Sequence, residues 1–186
     1  MKTFLTSAIA LAGLAAASSA SAQDATDSDS KTFAVTGNVP ALCSGGTLDG
    51  SGAFDFGVLI DTTTGLLRDD LSANEQTLTA AFCSTRSTIS VEAEPMLAQN
   101  YVATPPAGFS RSVDFVATAS GWTPSPAIFD TGAAANASAV QQRDSAFNGD
   151  IAVAVDTLSV TGGDNLLLVA DTEYLGSVVV TLAAQN

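Results

Sequence analysis

The side chains that could do chemistry in this protein are carboxylates and two cysteines, because its 186 residues include no histidine. Without an imidazole there is no Ser-His-Asp or Cys-His nucleophile and no histidine zinc site. A pair of carboxylates can hydrolyse a glycosidic bond, clustered carboxylates can bind Ca²⁺, and two cysteines can form a disulfide. Each possibility depends on which elements bring these residues together.

The carboxylates give little support to a catalytic or metal site. With 19 Asp and Glu residues some close pair is inevitable, and one Trp and two Tyr offer few aromatic side chains for a sugar platform. Neither of two acidic clusters matches the twelve-residue calcium loop with its central Gly and terminal Glu. The clusters are Asp24, Asp27 and Asp29, and Asp69, Asp70 and Glu75. We expect a solvated acidic surface, with no enzymatic activity, no metal and no cofactor.

The charge balance argues against one class of partner, and the hydrophobic content indicates folding. Six Lys and Arg residues against 19 acids give a formal net charge of -13, which repels phosphate backbones, so nucleic-acid partners are not expected. Disordered chains are poor in apolar residues, whereas 46% of this chain is hydrophobic and only 13% is charged. The chain is therefore expected to fold.

The first 22 residues are typical of a secretory signal peptide. Met1-Lys2 supplies a short positive start, Phe4 to Ala17 is an apolar run, and Ala20-Ser21-Ala22 is an A-x-A cleavage site. The apolar run is shorter than the about 20 residues that a transmembrane helix needs. We expect cleavage before Gln23, secretion of the chain, and no membrane span in what remains.

Export changes the interpretation of the two cysteines. In an oxidising compartment, a lone pair of cysteines favours a disulfide, so Cys43 and Cys83 are predicted to be bridged. The alternative is two buried free thiols. Nothing in the sequence matches C-x-x-C, which argues against a redox-active pair.

Apolar and polar residues alternate along several stretches, which indicates β-strands. A flexible acidic lead is expected at residues 23–32. The next stretch places on one face Phe33, Val35, Gly37 and Val39. The last stretch, Glu173 to Leu182, places on one face Tyr174, Val178, Val180 and Leu182. The remaining stretches are Ala53 to Ile60, Thr77 to Phe82, Thr88 to Glu94, Ser112 to Ala119 and Asp150 to Val160.

Short strands separated by Gly, Pro and Asp turns predict an all-β, antiparallel sandwich of about seven strands in a single domain over residues 33–186. Ala133 to Arg143 is the one stretch that suggests a short helix, and Trp122 is expected to pack against the end of the sandwich. An edge strand of a sandwich exposes unpaired backbone groups. Donor-strand complementation uses such an edge, because an extended segment of a neighbouring chain adds there as a strand.

Four sequence motifs follow one another in an order that covers most of the chain after the signal peptide. The motifs are Phe33-Ala34-Val35-Thr36-Gly37-Asn38-Val39 ahead of Cys43, Phe54-Asp55-Phe56-Gly57, Cys83 before the alternating Ile89 to Ala93, and the ending Tyr174-Leu175-Gly176-Ser177-Val178-Val179-Val180-Thr181-Leu182. In these motifs and their order the sequence resembles the spore coat protein U-like, archaic chaperone–usher pilin subunits.

The resemblance implies an incomplete immunoglobulin-like sandwich that is completed by a donated strand. A periplasmic chaperone would hold the subunit, and an outer-membrane usher would assemble it with other copies or related subunits into a fimbria-like surface fibre for adhesion or biofilm formation. The cysteine pair would match the family's bridge, and Val178, Val180 and Leu182 its last strand. Residues 33–39 would match its donor segment.

Two alternatives stay open at this point. The stretch from Phe33 to Val39 ends only a few residues before Cys43, so it is either donated to a neighbour or the domain's own first strand. The second alternative concerns the whole protein, which would then be a self-complete secreted or periplasmic binding module that recognises carbohydrate or a surface.

Overall fold

Strands form the regular structure of this protein. The computed structural model describes residues 29–185, so the predicted signal peptide and most of the acidic lead lie outside the described residues. Within residues 29–185 there are eleven strands and no helix. They are β1 (Cys43–Ser44), β2 (Thr47–Asp49), β3 (Gln76–Cys83), β4 (Ser87–Ala98), β5 (Phe109–Ser110), β6 (Ser112–Ser120), β7 (Ala127–Asp130), β8 (Val140–Arg143), β9 (Phe147–Val160), β10 (Leu167–Leu168) and β11 (Tyr174–Ala184).

Nine of these strands form one antiparallel sheet that nearly closes on itself. Its order is β1-β3-β9-β6-β4-β11, with β2 added to β3, β7 to β6 and β8 to β4. β1 comes within 8 Å of β11 between Cα atoms, although the two strands do not pair. β5 and β10 form a separate parallel pair. The predicted all-β antiparallel sandwich is confirmed, and seven of the eleven described strands have four or more residues.

The core lies inside this sheet and follows the alternation of the strands. On β4, Ile89 and Val91 are fully buried, while Glu92 faces solvent. β9 repeats this alternation, and β6, between β9 and β7, buries most of its length. Burying a side chain of this size stabilises the fold by about 1.5–3 kcal/mol.

An aromatic and cationic cluster closes one end of the core. Trp122 is fully buried, as the sequence predicts, and its ring centroid lies 4.4 Å from that of Phe147. The Arg143 guanidinium lies 4.4 Å from the Phe147 ring centroid and donates a hydrogen bond to the Trp122 carbonyl at 2.7 Å. Trp122 is thus a core residue and not an exposed contact for a ligand.

The short helix suggested for Ala133 to Arg143 is wrong. The stretch is a loop that ends in β8. The Asn136 side chain accepts a hydrogen bond from the Asp130 N–H at 2.7 Å and donates one to the Asp130 carbonyl at 3.1 Å. Such side-chain bonds to the backbone compete with helix formation.

Two predicted strands are also absent. Phe33 to Val39 and Ala53 to Ile60 lie in no strand, apart from a single bridge between Ile60 and Leu67. Both edges of β3 are already paired, by β9 on one side and by β1 and β2 on the other, so neither stretch adds to that strand. The compact unit that holds the sheet begins at Asn38, so residues 33–37 lie outside it.

A disulfide joins the first strand to the third. Cys43 and Cys83 are bonded to each other and are directly opposite in the β1–β3 ladder. The described residues contain no free cysteine. The predicted bridge is confirmed, and the alternative of two free thiols is wrong.

Cys43→Ser is expected to lower the free energy of unfolding by about 2–5 kcal/mol, the usual effect of removing a native disulfide from a small secreted domain. Urea denaturation of the variant and the wild type measures the difference. The double variant Cys43→Ser, Cys83→Ser should lose a similar amount, because it lacks the bridge without leaving a free thiol. Alkylation of both cysteines in unreduced wild-type protein would contradict the prediction.

Candidate functional site

The outer edge of β11 is the main unpaired edge of the sheet. β11 pairs along its length with β4, and no other strand in residues 29–185 pairs with it. Its inward side chains are only half-buried, whereas three of the four β4 residues opposite them, Ile89, Val91 and Ala98, are fully buried. The half-buried residues are those singled out from the sequence, Tyr174, Val178, Val180 and Leu182. One side of β11 therefore keeps both apolar surface and backbone groups uncovered.

An irregular segment faces the beginning of this edge. We call residues 53–59 the wall. Phe54 and Phe56 of the wall are half-buried and pack against the core. Gly52 before the wall and Gly57 within it have positive φ angles of 69° and 63°, which lie outside the extended region that a regular strand uses. The wall covers the core with side chains but pairs with no strand.

Two adjoining cavities lie between the wall and the start of β11. One has a volume of about 360 Å³ and the other about 570 Å³, within the usual size range of ligand pockets. Both are lined by Phe54, Phe56, Met96 and Tyr174. We call the uncovered edge of β11, the wall and these two cavities the groove. Its lining is mixed, with the apolar side chains of Phe54, Phe56 and Met96 beside the carboxylates of Asp55, Asp171 and Glu173.

Asp171 fixes the end of the groove where β11 begins. Its carboxylate accepts hydrogen bonds from the backbone N–H groups of Asn100 and Tyr101 at 2.8 Å each, from the Asn100 side-chain amide at 2.8 Å, and from the Glu173 N–H at 3.0 Å. The bond from the Asn100 side chain, together with these backbone donors, lowers the pKa of Asp171 to about 2. The charged carboxylate thereby ties the loop after β4 to the entry of β11.

Tyr174 provides a second tie at the same end. Its hydroxyl donates a hydrogen bond to the Val169 carbonyl at 2.7 Å, and partial burial raises its pKa. The phenol therefore stays a neutral donor near neutral pH. Its ring lines both cavities of the groove.

The proposed donor residues lie outside any strand of their own chain. The exposed fraction of the side chain is 84% for Phe33, 96% for Val35 and 81% for Val39. Within residues 29–185 this segment pairs with no strand. Gly37 has no atom of another part of the chain near the position of an added Cβ. Three large apolar side chains in one short exposed segment are uncommon unless the segment has a binding role.

The acidic clusters are solvated or locally paired. Arg68 holds Asp70 through two hydrogen bonds of 2.8 Å, which lower the pKa of Asp70. Asp29 pairs with Lys31 on the exposed lead, while Asp24 and Asp27 lie outside the described residues. Within residues 29–185 no group of three or more potential ligands from His, Cys, Asp and Glu is placed to hold a metal ion. The same part of the chain contains no helix long and apolar enough to cross a membrane.

Several residues of the groove were not singled out from the sequence. Met96 and Phe115 reach the groove from β4 and β6, and Asp171 reaches it from the loop after β10. Asp171 begins the sequence Asp-Thr-Glu before a predicted strand. This pattern signals a turn, but it does not show which residues the Asp171 side chain contacts. Asn100 is 71 residues away in the chain.

Comparisons of the chain with protein-family models, with curated proteins and with solved structures gave no match. The resemblance to pilin subunits therefore rests on the motifs quoted above.

Asp171→Asn is expected to destabilise the protein above about pH 4 and to lose this effect toward about pH 2. The native pKa of about 2 is below the ordinary value of 3.8. Stabilisation by the carboxylate is therefore fully present above the unfolded-state pKa and disappears as the pH falls through the native pKa. Urea denaturation of both proteins at several pH values measures the difference in the free energy of unfolding.

Asp49→Asn provides a matched control for this prediction, because Asp49 is an exposed aspartate on β2, away from the groove. This variant removes an exposed carboxylate and leaves the hydrogen bonds of Asp171 in place. A difference for Asp171→Asn that is equally large at both ends of the pH range would contradict the role given to this carboxylate.

Proposed function

We propose that this protein is a structural subunit of an extracellular fibre, in which residues 33–39 of one copy complete the groove beside β11 of another. The observation that carries the proposal is that one chain has both halves of such a contact. Phe33, Val35 and Val39 are almost fully exposed, and β11 has an uncovered edge above a half-buried apolar face. The segment would supply a strand to the unpaired edge of β11, and the groove would bury the exposed apolar side chains of the segment.

The dimensions of the two halves are compatible. Seven extended residues span about 23 Å and the eleven residues of β11 about 36 Å, at roughly 3.3 Å per residue. The donor segment therefore fits within the length of the edge. Its backbone would bond to the free N–H and C=O groups of β11, and alternate side chains would enter the groove. Each of the three large apolar side chains would contribute about 1.5–3 kcal/mol when buried.

The composition of β11 favours pairing. Proteins usually protect an exposed edge with lysine, proline or an inward-pointing charge. Residues 174–184 contain no charged residue and no proline, and Leu175 and Val179 expose about half of their side chains on the outer face. An edge without such protection either promotes aggregation or serves as a binding site. Binding of a donated strand would cover the edge and so prevent aggregation.

The assembly route follows from the resemblance to archaic chaperone–usher pilins. After export, a periplasmic chaperone would cover the groove until an outer-membrane usher replaces it with the segment of the next subunit. The final location would be a fimbria on the cell surface, with a role in adhesion or biofilm formation. No catalysis is required of the subunit.

Deletion of residues 23–40 is expected to leave monomers, because it removes the donor segment but keeps the groove. Light scattering of the purified chain with and without this segment measures the assembly state. A synthetic peptide of residues 29–40 should bind the deleted chain. Val35→Asp in the peptide should weaken binding at least about tenfold, since burial of this side chain is worth about 1.5–3 kcal/mol.

The matched control peptide carries Thr36→Asp, which places the same charge on the opposite face of the segment. It should bind nearly as well as the unchanged peptide. The proposal fails if the chain that retains residues 23–40 is a stable monomer, or if Val35→Asp and Thr36→Asp have equal effects on binding.

A further inference from the structure

The exposed segment joins the domain through a short root, which we define as residues 40–44. Ser84 holds this root through hydrogen bonds of its side chain and of its backbone N–H. Its Oγ donates to the Pro40 carbonyl at 3.0 Å and accepts from the Leu42 N–H at 3.0 Å, and its N–H donates to the Leu42 carbonyl at 2.9 Å. The root is therefore attached to the end of β3 immediately after the donor segment ends.

The disulfide lies where β1 would begin to separate from β3 if the root were pulled. β1 and β2 together run antiparallel to β3 and pair with it through two and three residue pairs. These three strands form a hairpin whose loop is residues 50–75, and Cys43 and Cys83 are the first pair at its open end. A force applied ahead of Cys43 would break the pairs one at a time from this end. The disulfide joins the two residues of the pair that would otherwise separate first.

The chain beyond β2 has little regular structure to resist such a force. Residues 50–75 contain no strand and only the single bridge between Ile60 and Leu67. This stretch includes the wall, residues 53–59. If β1 and β2 were pulled from β3, the force would next reach the wall and draw it away from the cavities. A subunit pulled by its donor segment would then lose its own groove.

We infer that the Cys43–Cys83 bridge transfers tension between subunits directly from the donor segment into β3, and so keeps that tension away from the groove of the same subunit. This inference rests on the proposed function, because tension reaches Cys43 only when residues 33–39 are held by a neighbour. β3 is suited to receive the force, since it pairs with the long strand β9. The bridge and the Ser84 contacts together form the mechanical attachment of the donor segment.

The size of the protected stretch makes the inference measurable. The two cysteines are separated by 40 positions in the sequence, so 39 residues lie between them. When extended, these residues would lengthen the chain by about 130 Å, at roughly 3.4 Å per residue. With the bridge intact, this length is not released at any force that leaves the disulfide unbroken.

Single-molecule force spectroscopy tests the inference on the chain of residues 23–186 held by its two ends. Oxidised wild-type protein should show no extension before its main unfolding event. The double variant Cys43→Ser, Cys83→Ser should show an added extension of up to about 110 Å at lower force, before the main event, because residues 44–75 are released while β3 stays paired with β9. Reduction of folded wild-type protein under tension gives the same comparison if the double variant does not fold.

Ser84→Ala provides the matched control, because it removes hydrogen bonds to the root and leaves the bridge. It should show no early extension. The inference is overturned if the chain without the bridge releases residues 44–75 only in the main unfolding event. Because a single chain is pulled, this result is independent of assembly. Failure of the donor peptide to bind would instead overturn the proposed function.

Discussion

The structure depends on one constraint, which is that no strand within residues 29–185 pairs with the outer edge of β11. The sheet nearly closes on itself, because its two end strands, β1 and β11, approach each other but do not pair. The inward side chains of β11 consequently remain half-buried. Backbone groups at such an edge are satisfied by water or by a strand from elsewhere, and only a strand also covers the apolar face.

The wall keeps the edge open without exposing the whole core. Phe54 and Phe56 cover the core with side chains, yet the positive φ angle of Gly57 interrupts the extended backbone that pairing with β11 would need. At the entry of β11, Asp171 and Tyr174 attach the loops on which the strand begins. The groove is therefore bounded by contacts that do not occupy its unpaired edge.

The disulfide connects the two halves of the proposed contact within one subunit. The donor segment leaves the domain immediately before Cys43, and the wall of the groove lies inside the loop that the bridge closes. Without the bridge, only the short β1 and β2 ladders would separate a force on the donor segment from the wall. The same bond that stabilises the fold therefore also sets which part of the chain can carry tension.

The sequence by itself determined the features that depend on local chemistry. The alternation of Thr88 to Glu94 and of Glu173 to Leu182 predicted strands, because a period of two is a property of extended backbone. Phe33 to Val39 and Phe54 to Phe56 alternate equally well but form no strand, because a strand also needs a partner to pair with, and alternation in the sequence does not specify that partner. Only the tertiary structure brought Asp171 to Asn100 and left the edge of β11 open, because these outcomes depend on contacts between residues far apart in the chain.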